Sequence, residues 1–525
     1  MSKLTESAAW TALEAHREAL EDIRLTDMFK LDPGRAARLS LDAGGLFLDY
    51  SKQRVTDETI ARLGTLARQA RLGDWIEKLF TAKAVNNTEN RAAMHMALRG
   101  APGEFPETHA GPAAAALAQM RDFVTQARDG LLRTNSGEAV RAIVNIGIGG
   151  SDLGPRMVVR ALRGHADTTL ALRFVSNGDP ADLATATAGL DPASTLFIVS
   201  SKTFGTAETL ANAQAAKAWL GKGDAHCKAH FAAVTSNAAA AMAFGVAPER
   251  IFPVWDWIGG RYSIWSAIGL PVALSSGMAA FDAMLAGAGD MDRHFRSAPL
   301  ESNMPALLGL IGIWNVNFLG AATQAILPYA EDLRDLPAYL QQLEMESNGK
   351  HVDRAGKDVD YDTAPVVWGM AGSNGQHAFH QLLHQGTQLV PCDFVVGAAG
   401  GAHTAEHYLL AANALAQSAA LAFGEKGANA FQNCPGNQPS NTLVLPGLTP
   451  RALGALLALY EHKVFVQSVI WNINPFDQFG VELGKKIADG LLPGFTGGAL
   501  PAQTDASTRQ LLARLTGLTR PKHEV

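Results

Sequence analysis

Two stretches of the chain alternate short apolar runs with helical segments. The first contains runs rich in Val, Ile and Phe at Ala142–Ile148, Leu172–Val175, Leu196–Val199 and Phe231–Val234. The second follows a long apolar helix at Pro305–Phe318 and contains the runs Val366–Gly369, Leu389–Val396 and Thr442–Leu445. Continuous apolar runs separated by helices are typical of buried parallel strands. The pattern therefore predicts an α/β protein with two α-β-α sandwich domains on parallel-rich sheets.

The two ends of the chain have a different pattern. From Thr5 to Ala97 the sequence predicts helices throughout, with turns at DPG (32–34) and DAGG (42–45). The last residues predict an exposed helix and a polar tail. A length of 525 residues exceeds one ordinary core. We therefore expect four regions: N-terminal helices at 1–104 packing on the larger domain, a smaller α/β domain at 105–280, a larger one at 281–500, and a C-terminal helix and tail at 501–525.

Composition narrows the classes of function. Charged residues make up 18% of the chain and the net charge is −6, which gives no general electrostatic attraction to nucleic acid. The cysteines, Cys227, Cys392 and Cys434, lack CxxC spacing, so neither a disulfide framework nor a cysteine zinc site is expected. The first residues lack a secretory pattern, and the apolar stretches 305–314 and 408–423 are short or interrupted by polar residues. We expect a cytoplasmic protein with no membrane segment.

The first candidate loop has the sequence NIGIGGSDLG at 145–154 and includes Gly150 and Ser151. It follows a predicted strand and opens a helix, where free backbone N–H groups attract anions. The GxGxxG template would need glycine at position 152, and Asp152 stands there, which disfavours a dinucleotide pyrophosphate. A glycine turn that serves only strand-to-helix packing remains an alternative.

The second candidate loop, SSKTFGT at 200–206, closes a predicted strand and leads into a helix. It is not a GxxxxGK[ST] loop, so an ATP-cleaving site is not expected. A phosphate monoester suits it better, held by backbone N–H groups together with Ser201, Lys202, Thr203 and Thr206. Simple helix capping by these hydroxyls is the alternative.

Candidate acid–base residues lie in two further segments. The segment QQLEMESNG (341–349) ends a predicted helix with Glu344 and Glu346 facing different directions, and the spacing does not say which of them enters a cleft. The segment DWIGGRYSIWSAIG (256–269) places Arg261 beside two glycines and among tryptophans. A buried guanidinium needs an anionic partner. The sequence leaves open whether Arg261 is catalytic or forms an internal salt bridge to Asp256 or Glu346.

Histidines and a lysine complete the candidates. His377, His380 and His384 share one side of a predicted helix, and His403 and His407 form an i, i+4 pair. No HExxH pattern accompanies them, so the sequence favours satisfied or solvated histidines over a metal site. Gln478 and Lys485 lie seven residues apart near a helix start, where an exposed lysine is the ordinary alternative.

Taken in order, these segments resemble the glucose-6-phosphate isomerase (phosphoglucose isomerase) family. The resemblance covers roughly Asn86 to Lys485. Its motifs are NNTENRAAMHMALR (86–99), NIGIGGSDLGP (145–155), SKTFGTAETLAN (201–212), DWIGGRYSIWSAIG (256–269), MESNGK (345–350), GQHAFHQLLHQGT (375–387) and FDQFGVELGK (476–485). It implies two sugar-isomerase (SIS-type) domains, a homodimer, and interconversion of glucose 6-phosphate and fructose 6-phosphate without a cofactor or metal.

The resemblance also implies roles for individual residues. Glu346 would be the base that moves a proton between C2 and C1, Arg261 the cation for the developing oxyanion, and His377 with Lys485 the pair that opens the sugar ring. Gly150, Ser151 and the loop from Ser201 to Thr206 match the sugar-phosphate contacts, and Gln342 and Gln478 match substrate-binding glutamines. Gly205 and His380 depart from the family pattern, which usually has threonine and an aromatic residue there.

Three alternatives belong to other classes of protein. A non-catalytic sugar-phosphate-binding regulator of the same SIS type would need the loops but not the acid–base residues. A nucleotide-dependent oxidoreductase is opposed by Asp152. A metal-dependent isomerase is the third.

Overall fold

The computed structural model describes residues 3–167, 169–221, 227–397 and 404–517. Contacts within the chain divide it into two compact units, Met1–Phe476 and Asp477–Val525. Both β-sheets lie in the first unit. The domain boundaries expected near 104, 280 and 500 remain predictions.

The strands of the described chain are, in order, β1 (Ser40–Ala43), β2 (Leu46–Asp49), β3 (Ala142–Ile146), β4 (Ala171–Val175), β5 (Thr195–Ser200), β6 (Phe231–Thr235), β7 (Ile251–Pro253), β8 (Thr323–Tyr329), β9 (Val366–Gly369), β10 (Cys392–Gly397) and β11 (Ser440–Leu445). The helices are α1 (Ala8–Ala19), α2 (Leu25–Leu31), α3 (Arg35–Arg38), α4 (Asp57–Gln69), α5 (Leu72–Phe80), α6 (Glu107–Arg128), α7 (Leu153–Ala161), α8 (Pro180–Thr187), α9 (Ala207–Trp219), α10 (Cys227–His230), α11 (Ala238–Phe244), α12 (Leu270–Ser276), α13 (Met278–Ser297), α14 (Met304–Ile313), α15 (Leu336–Gln341), α16 (Gly372–Gln376), α17 (His380–Gln385), α18 (Ala405–Phe423), α19 (Pro450–Ile470), α20 (Glu482–Phe495) and α21 (Ala506–Leu515).

The first sheet has five parallel strands in the order β4-β3-β5-β6-β7. Residues of β3, β5 and β6 are buried on both faces, as expected of a parallel sheet covered by helices. The four strands predicted in this region are confirmed. Strand β7 is additional, and its three residues are too few to form a recognisable apolar run.

The second sheet has six strands in the order β1-β2-β11-β10-β8-β9. Strands β8 to β11 pair in parallel, which confirms the three predicted runs and adds β8. The prediction of helices throughout Thr5–Ala97 is wrong, because β1 and β2 form an antiparallel hairpin whose second strand pairs with β11. The physical reason is local: the buried Leu46 and Leu48 alternate with the half-buried Phe47 and Asp49, as in a strand. The two glycines before them, Gly44 and Gly45, both have positive φ, as a tight hairpin turn requires.

Helix α19 forms the centre of the core. It is long and apolar enough to cross a membrane by length and composition, but every residue of its apolar window is buried inside the protein. It packs so closely on α13 that a Cβ at Gly454 would lie 1.9 Å from the carbonyl oxygen of Met284, and one at Gly287 would lie 1.9 Å from that of Arg451. The two glycines therefore set the distance between these helices.

A layer of charged side chains lies inside this core. Arg99 donates to both carboxylate oxygens of Asp292 at 2.7 Å and to Glu461 at 2.6 Å, and Asp292 also contacts His462 at 2.6 Å. Burial acts to raise the pKa of Asp292, but Arg99 and His462 outweigh it and lower that pKa to about 2. Charges removed from water in this way persist only when they are paired.

The second unit contains α20 and α21. Gly494 of α20 allows close approach of Leu500 and Leu512, since a Cβ at Gly494 would lie 2.5 Å from Leu500 and 3.0 Å from Leu512. Helix α21 is capped by Asp505, whose carboxylate accepts from the backbone N–H of Thr508. A helix is thus confirmed within the predicted 501–525 segment, of which residues 518–525 lie outside the described chain.

Candidate active site

The two loops that follow β3 and β5 are joined by one buried amide. The side chain of Asn145, on β3, accepts a hydrogen bond from Ser200 Oγ at 2.9 Å and donates to the carbonyl oxygen of Ser151 at 3.1 Å. Because β3 and β5 are adjacent and parallel, their carboxyl ends meet at the same edge of the sheet. Asn145 therefore fixes the 145–154 loop against the start of the 200–206 loop.

Gly150 brings the first loop against the segment that carries Arg261. A Cβ at Gly150 would lie 2.0 Å from the carbonyl oxygen of Gly260 and 2.9 Å from the backbone nitrogen of Arg261. The preceding Gly149 has φ +61°, and a Cβ there would lie 3.1 Å from Nε2 of Gln342. The glycines are thus required for packing, and that packing gathers Gln342, Gly150 and Arg261 at one place. Asp152 has its own partner, Arg156, at 2.8 Å.

One hydroxyl of the second loop, that of Thr206, is not used to cap the helix that follows. Thr206 occupies the N-cap position of α9, yet its side chain makes no capping hydrogen bond to the helix. Its Oγ1 lies instead 3.3 Å from Oγ of Ser201. Thr203 is exposed on the same loop, and Phe204 adopts a positive φ of 50° while its ring is buried. The simple capping interpretation therefore does not account for Thr206.

The ammonium of Lys202 binds backbone carbonyls of another segment. Its ammonium donates to the backbone carbonyls of Ile258 at 3.0 Å and Asp256 at 3.3 Å. Burial lowers the pKa of Lys202, against the opposing effect of the Asp256 carboxylate. In this arrangement Lys202 ties the 200–206 loop to the segment that precedes Arg261.

Arg261 is almost completely buried, with its side chain 1% exposed. Its Nε donates to Ser347 Oγ at 2.6 Å, its Nη2 donates to the carbonyl oxygen of Pro475, and its Nη1 lies 3.4 Å from Oε2 of Glu346. Of the two acids that the sequence left open as partners, Glu346 is the one in contact. Asp256 lies instead 3.9 Å from Lys202.

The structure separates the two glutamates of the 341–349 segment. Glu344 is 3% exposed and pairs with the ammonium of Lys463 at 2.9 Å and with the amide of Asn348 at 3.1 Å. Glu346 keeps 21% of its side chain exposed beside Arg261. The two differ because residues two apart on a helix point in roughly opposite directions. Only Glu346 is accessible to a substrate.

The backbone at Glu346 is not regular α-helix. Residues Gln342–Glu346 form a π-helical turn that continues α15. Such single turns occur frequently at functional sites, because the wider turn re-aims the side chains that follow it. Gln342 begins this turn and Glu346 ends it.

His377 has no hydrogen bond to this group among the described residues. It is exposed at the end of the short helix α16, and within the described residues no hydrogen bond joins its side chain to Glu346 or Arg261. The other two histidines of the segment both contact Oε1 of Gln417, His380 at 3.0 Å and His384 at 2.7 Å. His403 lies outside the described residues. In the described part of the chain, no group of three or more His, Cys, Asp or Glu is arranged to hold a metal ion.

Gln478 and Lys485 belong to the second unit, Asp477–Val525. Gln478 is half-buried and precedes a short 3₁₀ turn, Phe479–Val481. Lys485 is exposed on the first turn of α20.

Sequence reasoning did not single out two residues that contact the site, Ser347 and Tyr262. Tyr262 Oη lies 2.9 Å from Ser347 Oγ, the same oxygen that accepts from Arg261. Each directly follows a candidate residue in the sequence, but no spacing of residues around Ser347 or Tyr262 distinguishes it from an ordinary core residue.

Removal of each glutamate charge should have a different effect on stability. Glu344→Gln leaves the ammonium of Lys463 buried and without its counter-ion, so we expect a loss of about 3–5 kcal/mol in the free energy of unfolding. Glu346→Gln affects a partly exposed carboxylate, and Arg261 keeps Ser347 and Pro475, so we expect a loss of only about 1 kcal/mol. Urea denaturation of both variants measures the difference. Equal losses would contradict the assignment of Glu344 as the structural member of the pair.

Three comparisons with known proteins agree. The family model described as phosphoglucose isomerase matches residues 49–512. Proteins named glucose-6-phosphate isomerase from Deinococcus deserti and Dechloromonas aromatica are 50% and 48% identical, over 97% and 98% of this chain and 98% and 99% of their own. A crystal structure of a glucose-6-phosphate isomerase from Chlamydia trachomatis, 33% identical, superimposes with a TM-score of 0.88 over 99% of this chain and 100% of its own. The chain therefore belongs to the phosphoglucose isomerase family.

Proposed function

We propose that this protein interconverts glucose 6-phosphate and fructose 6-phosphate in the cytoplasm, as a step of glycolysis and gluconeogenesis. The observation that carries the proposal is the contact between Glu346 and the buried Arg261, 3.4 Å apart. A base beside a fixed cation is what proton transfer next to a carbonyl requires, and the two residues lie in motifs of the family. Relatives of about half identity over nearly the whole chain carry the name of this activity.

The central step is a proton transfer by Glu346. Its carboxylate takes the proton from C2 of the open-chain aldose, and the electrons of that C–H bond form the C1–C2 double bond while negative charge develops on O1. A proton then moves from O2 to O1, and return of the first proton to C1 forms the C2 carbonyl of the ketose. The oxidation at C2 balances the reduction at C1, so the reaction needs no external redox cofactor. A positioned base supplies roughly 10²–10⁴-fold of rate.

Arg261 stabilises the charge that develops on the enediolate. A guanidinium held in a water-poor site needs no reorganisation when that charge appears, and loss of one such donor typically costs about 10²–10³-fold in kcat. Its almost complete burial supports this role, because the interaction of two charges strengthens as water is excluded.

The remaining candidates bind the sugar phosphate or open its ring. We assign phosphate binding to the backbone at Gly150 and Ser151 and to the side chains of Ser201, Thr203 and Thr206. Lys202 adds positive charge to this loop. Gln342 and Gln478 would hold the sugar hydroxyls. His377, assisted by Lys485, would move the proton that opens the ring, and the exposure of His377 leaves its imidazole accessible for this.

Glu346→Gln tests the proposed base, because the amide keeps the shape of the side chain and removes its basicity. We expect loss of isomerisation in an assay that supplies fructose 6-phosphate and measures the glucose 6-phosphate formed. Deuterium incorporation at C2 in D₂O should also be lost, whereas substrate binding should be retained. Glu331→Gln changes an exposed glutamate before α15 and should behave as wild type. Near-normal turnover of the Glu346 variant would refute its role as the base. A wild-type protein that binds substrate without turnover would favour the non-catalytic sugar-phosphate-binding regulator.

Ser201→Ala tests the phosphate loop. A hydrogen bond to a charged phosphate contributes about 1.5–3 kcal/mol, so we expect KM to rise roughly 10- to 100-fold. The loop contacts the phosphate equally in ground and transition states, so kcat should change little. Ser194→Ala, just before the amino end of β5, provides the control. A fall in kcat without a change in KM would argue against phosphate binding by this loop.

We also propose that the protein is a homodimer. The face of α18 carries exposed apolar side chains, with Tyr408, Leu409 and Leu415 each more than half exposed in the single chain. A second copy is the partner that would cover them. Light scattering should give twice the 55.5 kDa chain mass, and Leu415→Glu should shift the protein toward monomer. Leu131→Glu, equally exposed elsewhere, should not. A wild-type monomer at micromolar concentration would contradict the proposal.

A further inference from the structure

The guanidinium of Arg261 is held by a hydroxyl to which the proposal above gives no role. We propose that Ser347 and Tyr262 are positioning residues for Arg261: their paired hydroxyls hold its guanidinium at the distance from Glu346 that the enediolate step requires. This inference rests on the proposed isomerase activity and assigns two further residues to it.

Ser347 links the base and the cation. It follows Glu346 directly, at the end of the π-helical turn, and is fully buried. Its Oγ accepts from Nε of Arg261 at 2.6 Å, on a different edge of the guanidinium from the Nη1 that lies 3.4 Å from Glu346. One short segment of backbone therefore places both the carboxylate and the hydroxyl that orients its cationic neighbour.

Tyr262 fixes the orientation of that hydroxyl. Its Oη lies 2.9 Å from Ser347 Oγ, and its ring stacks on the ring of His95 at a centroid distance of 4.8 Å. Burial raises the pKa of Tyr262 to about 12, against the opposing effects of Arg261 and Ser347, so the phenol is neutral at physiological pH. A neutral phenol held by stacking supplies a hydrogen bond of fixed direction and no competing charge.

The layer behind Tyr262 is rigid for electrostatic reasons. His95 lies 3.7 Å from the carboxylate of Glu461, which is bonded to Arg99 at 2.6 Å and to Trp265 Nε1 at 2.7 Å. Arg99 and Glu461 are both buried, so separating them would leave a charge unpaired in the core. The position of the Tyr262 ring is thereby set by the core rather than by the substrate.

Tyr339 offers a matched control within the same region. It lies on α15, one turn before the π-helical turn, and is as buried as Tyr262. Unlike Tyr262, its hydroxyl has no hydrogen-bond partner among the described residues. Tyr339→Phe therefore removes a buried hydroxyl from the core without disconnecting Arg261.

The test compares Tyr262→Phe, Ser347→Ala and Tyr339→Phe in steady-state kinetics. A displacement of about 1 Å at a reacting centre costs up to roughly 100-fold in rate, so we expect kcat to fall about 10-fold in Tyr262→Phe and more in Ser347→Ala. KM for fructose 6-phosphate should change little, since the phosphate loop is untouched. Tyr339→Phe should match wild type. An unchanged kcat in Tyr262→Phe, or an equal loss in Tyr339→Phe, would overturn the inference.

A double variant tests whether Tyr262 acts through Ser347. In the Ser347→Ala background the further change Tyr262→Phe should lower kcat by less than it does in the wild type, because the linking hydroxyl is gone and only the direct interaction of Tyr262 with Arg261 remains. Fully multiplicative losses would show that Tyr262 acts independently and would overturn this part of the inference.

Inhibitor binding distinguishes positioning from a general loss of structure. A phosphorylated sugar hydroxamate carries the negative charge of the enediolate, whereas glucitol 6-phosphate is an open chain without it. Tyr262→Phe should weaken the hydroxamate about 10-fold and leave glucitol 6-phosphate nearly unchanged, since only the first depends on the placement of Arg261. Equal weakening of both would indicate a structural role. An inactive wild-type protein would refute the isomerase proposal itself, whereas an active wild type with an unaffected Tyr262→Phe would refute only this inference.

Discussion

The site is organised around the need to neutralise one buried cation. Arg261 has almost no contact with solvent, so each edge of its guanidinium must meet an acceptor inside the protein. Those acceptors come from segments far apart in the chain: the end of the π-helical turn at Glu346 and Ser347, and the backbone at Pro475 beyond α19. The cost of leaving these N–H groups without acceptors holds the segments together. Of the acceptors named here, Glu346 is partly exposed and so remains open to a substrate.

A second set of buried charges, centred on Arg99, lies in the core near Tyr262. Arg99 neutralises Asp292 on α13 and Glu461 on α19, two helices whose glycines allow them to pack closely. Neither layer is a general device for stability, because well-packed apolar groups serve that purpose as well or better. Both sets of charges instead fix the orientation of the polar groups around Tyr262 and Arg261.

The apolar pattern predicted seven strands of the two sheets, because buried parallel strands are continuous apolar runs. It missed the β1–β2 hairpin, whose four-residue strands are too short to outweigh the helical pattern around them. The sequence identified Glu344 and Glu346 but could not choose between them without the resemblance, since the choice depends on Lys463, more than a hundred residues away. The direction of Lys202 was beyond prediction for the same reason, as its partners are backbone carbonyls of another loop. The roles of His377, Lys485 and the glutamines remain predictions.

The π-helical turn at Gln342–Glu346 makes the site sensitive to how the backbone is wound as well as to which residues it carries. Each residue of a regular helix rotates the next side chain by about 100°. If the same five residues were wound as ordinary α-helix, their larger rotation per residue would turn Glu346 away from Arg261. A change that makes the backbone more regular would therefore separate the base from its cation. At this point in the chain, the irregular geometry is what keeps the two charges in register.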